Sequence, residues 1–114
     1  MGNIDREQEK VILARLAQLK KKLEKDIERK LVRGIQIQGG MCRKFVSPGW
    51  AGAPDRIVLL PGGRMYFIEM KRPGEEPEPL QQHRIEELRA LGFKARSINN
   101  EEDVNNFLKE IGCN

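Results

Sequence analysis

The residues with the clearest chemical potential are Asp55, Glu69 and Lys71. Two apolar runs, Ile57–Leu60 and Met65–Ile68, flank Pro61-Gly62-Gly63, and this pattern predicts a β-hairpin with a short glycine-containing loop. If Leu60 pairs with Arg64, Asp55 falls directly opposite Glu69 and Ile57 opposite Phe67. Alternation along the strand then puts Lys71 on the face of Glu69. A slip of one residue would send Asp55 to the other face. Two carboxylates facing each other across a ladder repel. A divalent cation relieves that repulsion, because hard ions such as Mg²⁺ prefer oxygen ligands. The alternative is a solvated strand end whose charges simply sit in water. Lys71, the hairpin register and the Gly52-Ala53-Pro54 lead-in favour the cation.

Other polar residues fall where they could serve such a site. Gln81 lies at the start of a helix expected over Leu80–Leu91, on the same side as Ile85 and Leu88. A glutamine there needs a hydrogen-bond partner, either a water or phosphate at the site or a backbone group. Glu24 and Glu28 border an apolar helical stripe, and the competing explanation for both is pairing with nearby Lys or Arg. Lys44 falls in the middle of an expected strand over Met41–Val46, an unusual place for lysine unless its face is wet or meets anions. Trp50, in the loop before Asp55, suits packing or contact with a ligand. The single histidine, His83, is expected to face solvent. The chain therefore lacks the ligands for a zinc site or a histidine-based triad.

The elements that position these residues follow from periodicity and from breakers. Asp5 and Gln8 form a capping-box pattern. Ile12, Leu16, Leu19, Leu23, Ile27 and Leu31 continue as one helical stripe with no Pro or Gly between residues 5 and 33. At about 1.5 Å per residue such a helix reaches roughly 40 Å, more than a domain of this size can cover. Its first half is expected to pack on something else, a second copy of the chain being one choice and a helical hairpin folded back on the core the other. Gly39-Gly40 ends the helix. Arg72–Pro79, with three prolines and three acids, predicts an extended loop beside the site that could act as a flap. A strand over Phe93–Ile98 and a helix over Glu101–Ile111 complete the chain. The order is helix, three strands, helix, strand, helix. The hairpin strands are apolar on both faces, which implies an α/β fold with helices on each side of a small mixed sheet.

At 114 residues the chain is one domain of modest core. Charged residues make up 33%, with net charge +4 and a pI near 9.3. That balance permits a polyanionic partner. Cys42 and Cys113 lack metal spacing and read as free thiols of a reducing cytoplasm, the alternative being a disulfide. No apolar run is long enough to cross a membrane, and Met1–Lys10 is too polar for a signal peptide.

Gly52-x-Pro54-Asp55, followed by Glu69-x-Lys71 and by Gln81 at a helix start, resembles the VRR-NUC family of PD-(D/E)XK nucleases. Gly39-Gly40, Lys44, Ser47-Pro48-Gly49, Pro54-Asp55-Arg56 and Pro79-Leu80-Gln81 occur in the matching order. The resemblance runs from about Lys22 to about Asp103. It implies a restriction-endonuclease-like core over residues 22–114, preceded by a helical extension over residues 1–21. It also implies Mg²⁺- or Mn²⁺-dependent cutting of DNA. Asp55, Glu69 and the Met70 carbonyl match the metal ligands, and Lys71 matches the lysine at the scissile phosphate. Gln81 matches the glutamine after the motif, and Glu24 the first-helix glutamate, a further candidate catalytic residue and metal ligand, with Glu28 in reserve. Lys44, Arg56 and Arg72 are candidates for contacts with the DNA backbone. Short stand-alone members look like phage or bacterial proteins and are similar to dimeric Holliday-junction resolvases, so a homodimer acting on branched DNA is expected. The alternatives are a nickase or flap nuclease, a non-catalytic DNA-binding or recombination accessory protein, and a helical assembly module built on residues 5–33.

Overall fold

A computed structural model describes residues 3–112. Helix α1 (Arg6–Ile37) opens at Asp5, whose Oδ1 accepts from the Gln8 N–H at 2.8 Å. In return the Gln8 side chain accepts from the Asp5 N–H at 3.0 Å. With its first orphan N–H groups satisfied and no Pro or Gly before Gly34, the helix runs unbroken for 32 residues. It is therefore one rod and not a helical hairpin. Only Ile27, Leu31 and Ile35 of α1 are buried. Ile12, Leu16, Leu19 and Leu23 remain 42–52% exposed. The helix accounts for the 60 Å length of a molecule only 32 × 23 Å in its other dimensions.

The chain then forms β1 (Met41–Lys44), β2 (Arg56–Leu60), β3 (Arg64–Met70), α2 (Pro79–Ala90), β4 (Lys94–Ile98) and α3 (Glu101–Gly112). The sheet order is β1-β2-β3-β4. The first three strands are antiparallel and β4 runs parallel to β3 after the α2 crossover. β1 is shorter than Met41–Val46, although the Phe45 N–H still reaches the Asp55 carbonyl at 2.8 Å. Leu60 pairs with Arg64 and Ile57 with Phe67, the register expected from the loop. Gly62 and Gly63 close that loop at φ +82° and +76°, a region that costs glycine little and other residues more.

Both faces of the sheet are covered. Val58, Tyr66, Ile68 and Ile98 pack against Leu31 and Ile35 of α1 and Val104 and Phe107 of α3. Phe67 and Ala95, on the other face, pack against Ile85 and Leu88 of α2. Ile57, Phe45 and Trp50 border that second cluster. Trp50 stands edge-on to Phe45 and under the Arg84 guanidinium, so its role in the fold is packing. His83 is largely exposed, 3.5 Å from Glu87. Cys42 is a buried free thiol whose pKa is pushed up by burial. Cys113 lies outside the described residues. Among the described residues no helix is long and apolar enough to cross a membrane.

The division of α1 into a buried and an exposed half gives a contrast that can be measured. Leu31→Ala removes a fully buried side chain and should cost about 3 kcal/mol. Leu16→Ala should cost under about 0.5 kcal/mol in dilute protein. Urea midpoints at low protein concentration check this, and equal losses at the two positions would contradict the division.

Candidate active site

The site lies at the end of the sheet where β2 begins and β3 stops. Asp55 immediately precedes β2. Its Oδ1 accepts the Met70 N–H at 2.9 Å, while its own carbonyl accepts the Phe45 N–H. Asp55 is thus tied to both neighbouring strands. In a strand the N–H and C=O of one residue leave by the same edge, so the Met70 carbonyl also faces the Asp55 side. Across the ladder, Glu69 shares the α2 face with Phe67 and is only 4% exposed.

Gln81, in the first turn of α2, fixes Glu69 from above. Its Nε2 donates to Glu69 Oε1 at 3.3 Å, and its Oε1 accepts the Glu78 N–H at 2.8 Å. The backbone contact is therefore present, and the amide end meets the Glu69 carboxylate. Gly52, at φ +79°, lets the loop before Asp55 seat against this turn. A Cβ there would stand 2.8 Å from Leu80 Cγ and 3.2 Å from the Leu80 carbonyl, too close for any other residue. The same loop is gripped from α2, where Arg84 Nε donates to the Ala51 carbonyl at 2.8 Å. Nothing in the local sequence marks Arg84 for this role, because the contact joins residues 33 positions apart.

Glu69 carries the electrostatic tension of the site. Its Oε2 is buried and has no hydrogen-bond partner. Burial, then repulsion from Asp55, pushes its pKa up to about 7, against a weaker opposing pull from Lys71. The Asp55 carboxyl is raised too, first by burial and further by Glu28, while the Met70 N–H and Arg56 oppose the shift. Lys71 extends the β3–β4 pairing through its N–H to the Ile98 carbonyl at 2.9 Å. Its ammonium makes no ion pair among the described residues. The site therefore offers two opposed carboxylates, a backbone carbonyl edge and a free cation. An all-oxygen donor set with an orphaned carboxylate oxygen fits a hard divalent cation, and the unsatisfied Oε2 is the observation that makes the fit.

The acids of α1 do not join this pair. Arg56 alternates onto the Val58 face, the face that α1 covers, and donates to Glu28 at 3.2 Å with its side chain only 11% exposed. Glu24 lies 3.5 Å from the exposed Arg72. Glu28 is the one of the two whose charge is felt at Asp55. Among the described residues no group of three His, Cys, Asp or Glu converges as a ready-made cluster. Lys44 is exposed and pairs across the ladder with Arg56.

No family model matches the chain. Over 88 residues it is 43% identical to "Putative nuclease p44" of Acyrthosiphon pisum secondary endosymbiont phage 1, a match that covers 77% of this chain and 94% of that protein. A solved structure titled "VRR_NUC domain" superposes with a TM-score of 0.71 at 28% identity, over 75% of this chain and 94% of the other.

The strained carboxyl pair gives a pH signature. Both groups hold protons more tightly folded than unfolded, so the folded chain binds more protons between the ordinary glutamate value of 4.5 and about 7. The stabilisation is complete below that window and is lost as pH rises through it. For Glu69 the difference is worth roughly 3 kcal/mol. Urea unfolding in EDTA should show falling stability from pH 5 to pH 8, and Glu69→Gln should flatten the fall and stabilise the protein at pH 8. The same slope in wild type and Glu69→Gln would remove Glu69 as its source.

Proposed function

The chain belongs to the VRR-NUC family of nucleases, and on that premise we propose that it is a divalent-metal-dependent DNA endonuclease, working as a homodimer with a preference for four-way junctions. The orphaned Oε2 of Glu69, opposite Asp55 and near a Lys71 that makes no ion pair among the described residues, is the observation that carries this reading. Asp55, Glu69 and the Met70 carbonyl would hold Mg²⁺ or Mn²⁺. When bound, that ion supplies charge neutralisation at the phosphate and a more acidic water.

The remaining chemistry belongs to side chains. Gln81 holds Glu69 Oε1, which leaves Oε2 as the free ligand oxygen. Lys71 stabilises charge that develops on the scissile phosphate and positions the attacking water. Glu28 serves through Arg56, holding that guanidinium beside Asp55, and Glu24 pairs with Arg72 at the rim. Lys44 and Arg72 are exposed enough to meet the DNA backbone, while Arg56 is too enclosed to do more than neutralise the site. We assign catalysis to residues 22–114 and treat residues 1–21 as an appended arm. The phage origin of the relative suits action in the cytoplasm of a bacterium or an infected host.

The apolar stripe Ile12, Leu16, Leu19 and Leu23 lies uncovered on one face of the arm. A second copy of the chain would bury it, and a two-fold axis would then relate two sites. The chain has no element that looks built to read base edges, so DNA shape and backbone contacts would select the substrate. A four-way junction shares the two-fold symmetry, so paired cuts on opposing strands become possible.

Cleavage of a four-way junction should need Mg²⁺ or Mn²⁺ and stop in EDTA. Asp55→Asn, Glu69→Gln and Lys71→Met should each lower the rate by at least about 100-fold, the order of loss seen when one transition-state charge contact is removed. Undiminished cutting by an Asp55→Asn, Glu69→Gln double variant would defeat the reading. Equal rates on junction and sequence-matched linear duplex at one salt concentration would leave a nuclease without junction preference. Light scattering at micromolar concentration should give a dimer that weakens on deleting residues 1–20. A monomeric full-length chain would defeat the dimer, and an undisturbed dimer after deletion would move the interface elsewhere.

A further inference from the structure

The outer face of α1 carries a row of cations that the site does not use. Arg15, Lys22, Lys25, Arg29 and Arg33 are all exposed. None makes an ion pair among the described residues. Spacings of seven, three and four put them on one side of the helix, opposite the face that buries Ile27, Leu31 and Ile35. Between Arg6 and Ile37 there are ten basic and five acidic residues, a net +5 against +4 for the whole chain. The chain's positive charge is therefore concentrated on this one helix. Two of its acids, Glu24 and Glu28, are already engaged by Arg72 and Arg56.

An ordinary solvated helix face mixes signs and gains from alternating pairs. Here Lys25, Arg29 and Arg33 stand at consecutive i,i+4 positions, a like-charge arrangement that destabilises the helix. The row is also continuous with the site. A groove of about 580 Å³ is bordered by Lys25, Arg29 and Arg33 on one side and Arg56 on the other, and Arg56 is the neighbour of Asp55. Glu28 lies level with Arg56 at the start of β2, and Ile35 lies near Leu60 at its end, where both crowd Gly40. α1 therefore runs alongside β2, and its residues before Leu23 project past the end of the sheet that holds the acids.

We infer that this face of α1 is a track for the phosphate backbone of the DNA arm next to the cleaved bond. The inference rests on the nuclease reading for the identity of the polyanion. Arg15 to Arg33 span about 27 Å of helix, or about eight base pairs at 3.4 Å per phosphate of one strand. Guanidinium and ammonium groups suit phosphate oxygens, and Asp26, which borders the same groove as Lys22, Lys25 and Arg29, lowers the charge of the row by one. The track binds any duplex arm through its phosphates, and its upper end adjoins the apolar stripe, with Arg15 one turn from both Ile12 and Leu19.

The test uses the full chain in EDTA, where cutting is blocked, with a fluorescently labelled 30-base-pair duplex titrated across a KCl series. Lys25→Gln with Arg29→Gln should flatten the slope of log K against log salt by about two units and weaken binding at 0.1 M salt at least about tenfold. Lys10→Gln with Lys109→Gln removes the same charge from exposed positions off the track and should leave the slope unchanged. Equal slopes for the two double variants would overturn the track, as would a wild type that binds the duplex without salt dependence. Cutting in Mg²⁺ with equal slopes sinks the track and keeps the nuclease. A lowered slope with no cutting in Mg²⁺ keeps the track and sinks the nuclease.

Discussion

The pairing of Leu60 with Arg64 sets everything that follows at the other end of the hairpin. A β-ladder has no freedom to drift, so a register fixed at the loop decides which side chains meet five residues away. It brings Asp55 and Glu69 together and turns Glu69 toward α2. It also aims the Met70 N–H at the Asp55 carboxylate. That hydrogen bond prolongs the ladder by one side chain, where a backbone carbonyl would normally accept. The site is a strand end whose last rung has been rebuilt from an aspartate.

The sheet also divides the labour. Its Phe67 face takes the opposed carboxylates and α2, which supplies Gln81 and the Arg84 grip on the preceding loop. Its Val58 face takes α1 and α3 and most of the apolar burial. Arg56 joins the two halves. Its neighbour in sequence is the acid of the site, yet alternation sends its side chain under α1 to Glu28. A half-buried charge pair of this kind contributes little net stability. Its effect is local, as a positive charge that opposes the rise burial imposes on the Asp55 carboxyl.

Much of this was readable in the sequence, for identifiable reasons. Pro61-Gly62-Gly63 between apolar runs leaves few hairpin registers, and the one with Leu60 opposite Arg64 was correct. The α1 cap was legible because Asp5 and Gln8 act on each other within one turn. Apolar residues on both faces of β2 and β3 implied helices on both sides. The choice between Glu24 and Glu28 was not legible, since the two stand one turn apart on the same helix edge. What separates them is the Arg56 side chain on the α1 face of β2, which reaches Glu28, a tertiary fact. Arg84 was missed for the same reason, its carbonyl partner being remote in sequence. Whether α1 was one rod or a folded hairpin turned on the absence of a breaker between residues 5 and 33, and absence is a weak signal until packing is seen.

Because α1 is unbroken, its two halves are locked in rotational phase. Each inserted residue would turn the arm by about 100° relative to the sheet. A one-residue insertion near Leu23 would carry Leu16 and Leu19 away from the line of Ile27 and Leu31, and would swing Arg15 and Lys22 out of line with Arg29. Seven residues return the helix to within about 20° of its starting phase. The arm can therefore lengthen or shorten without losing phase only by near-whole numbers of turns, such as about seven or about eleven residues, so its length is quantised by the helix and not by the surface it reaches.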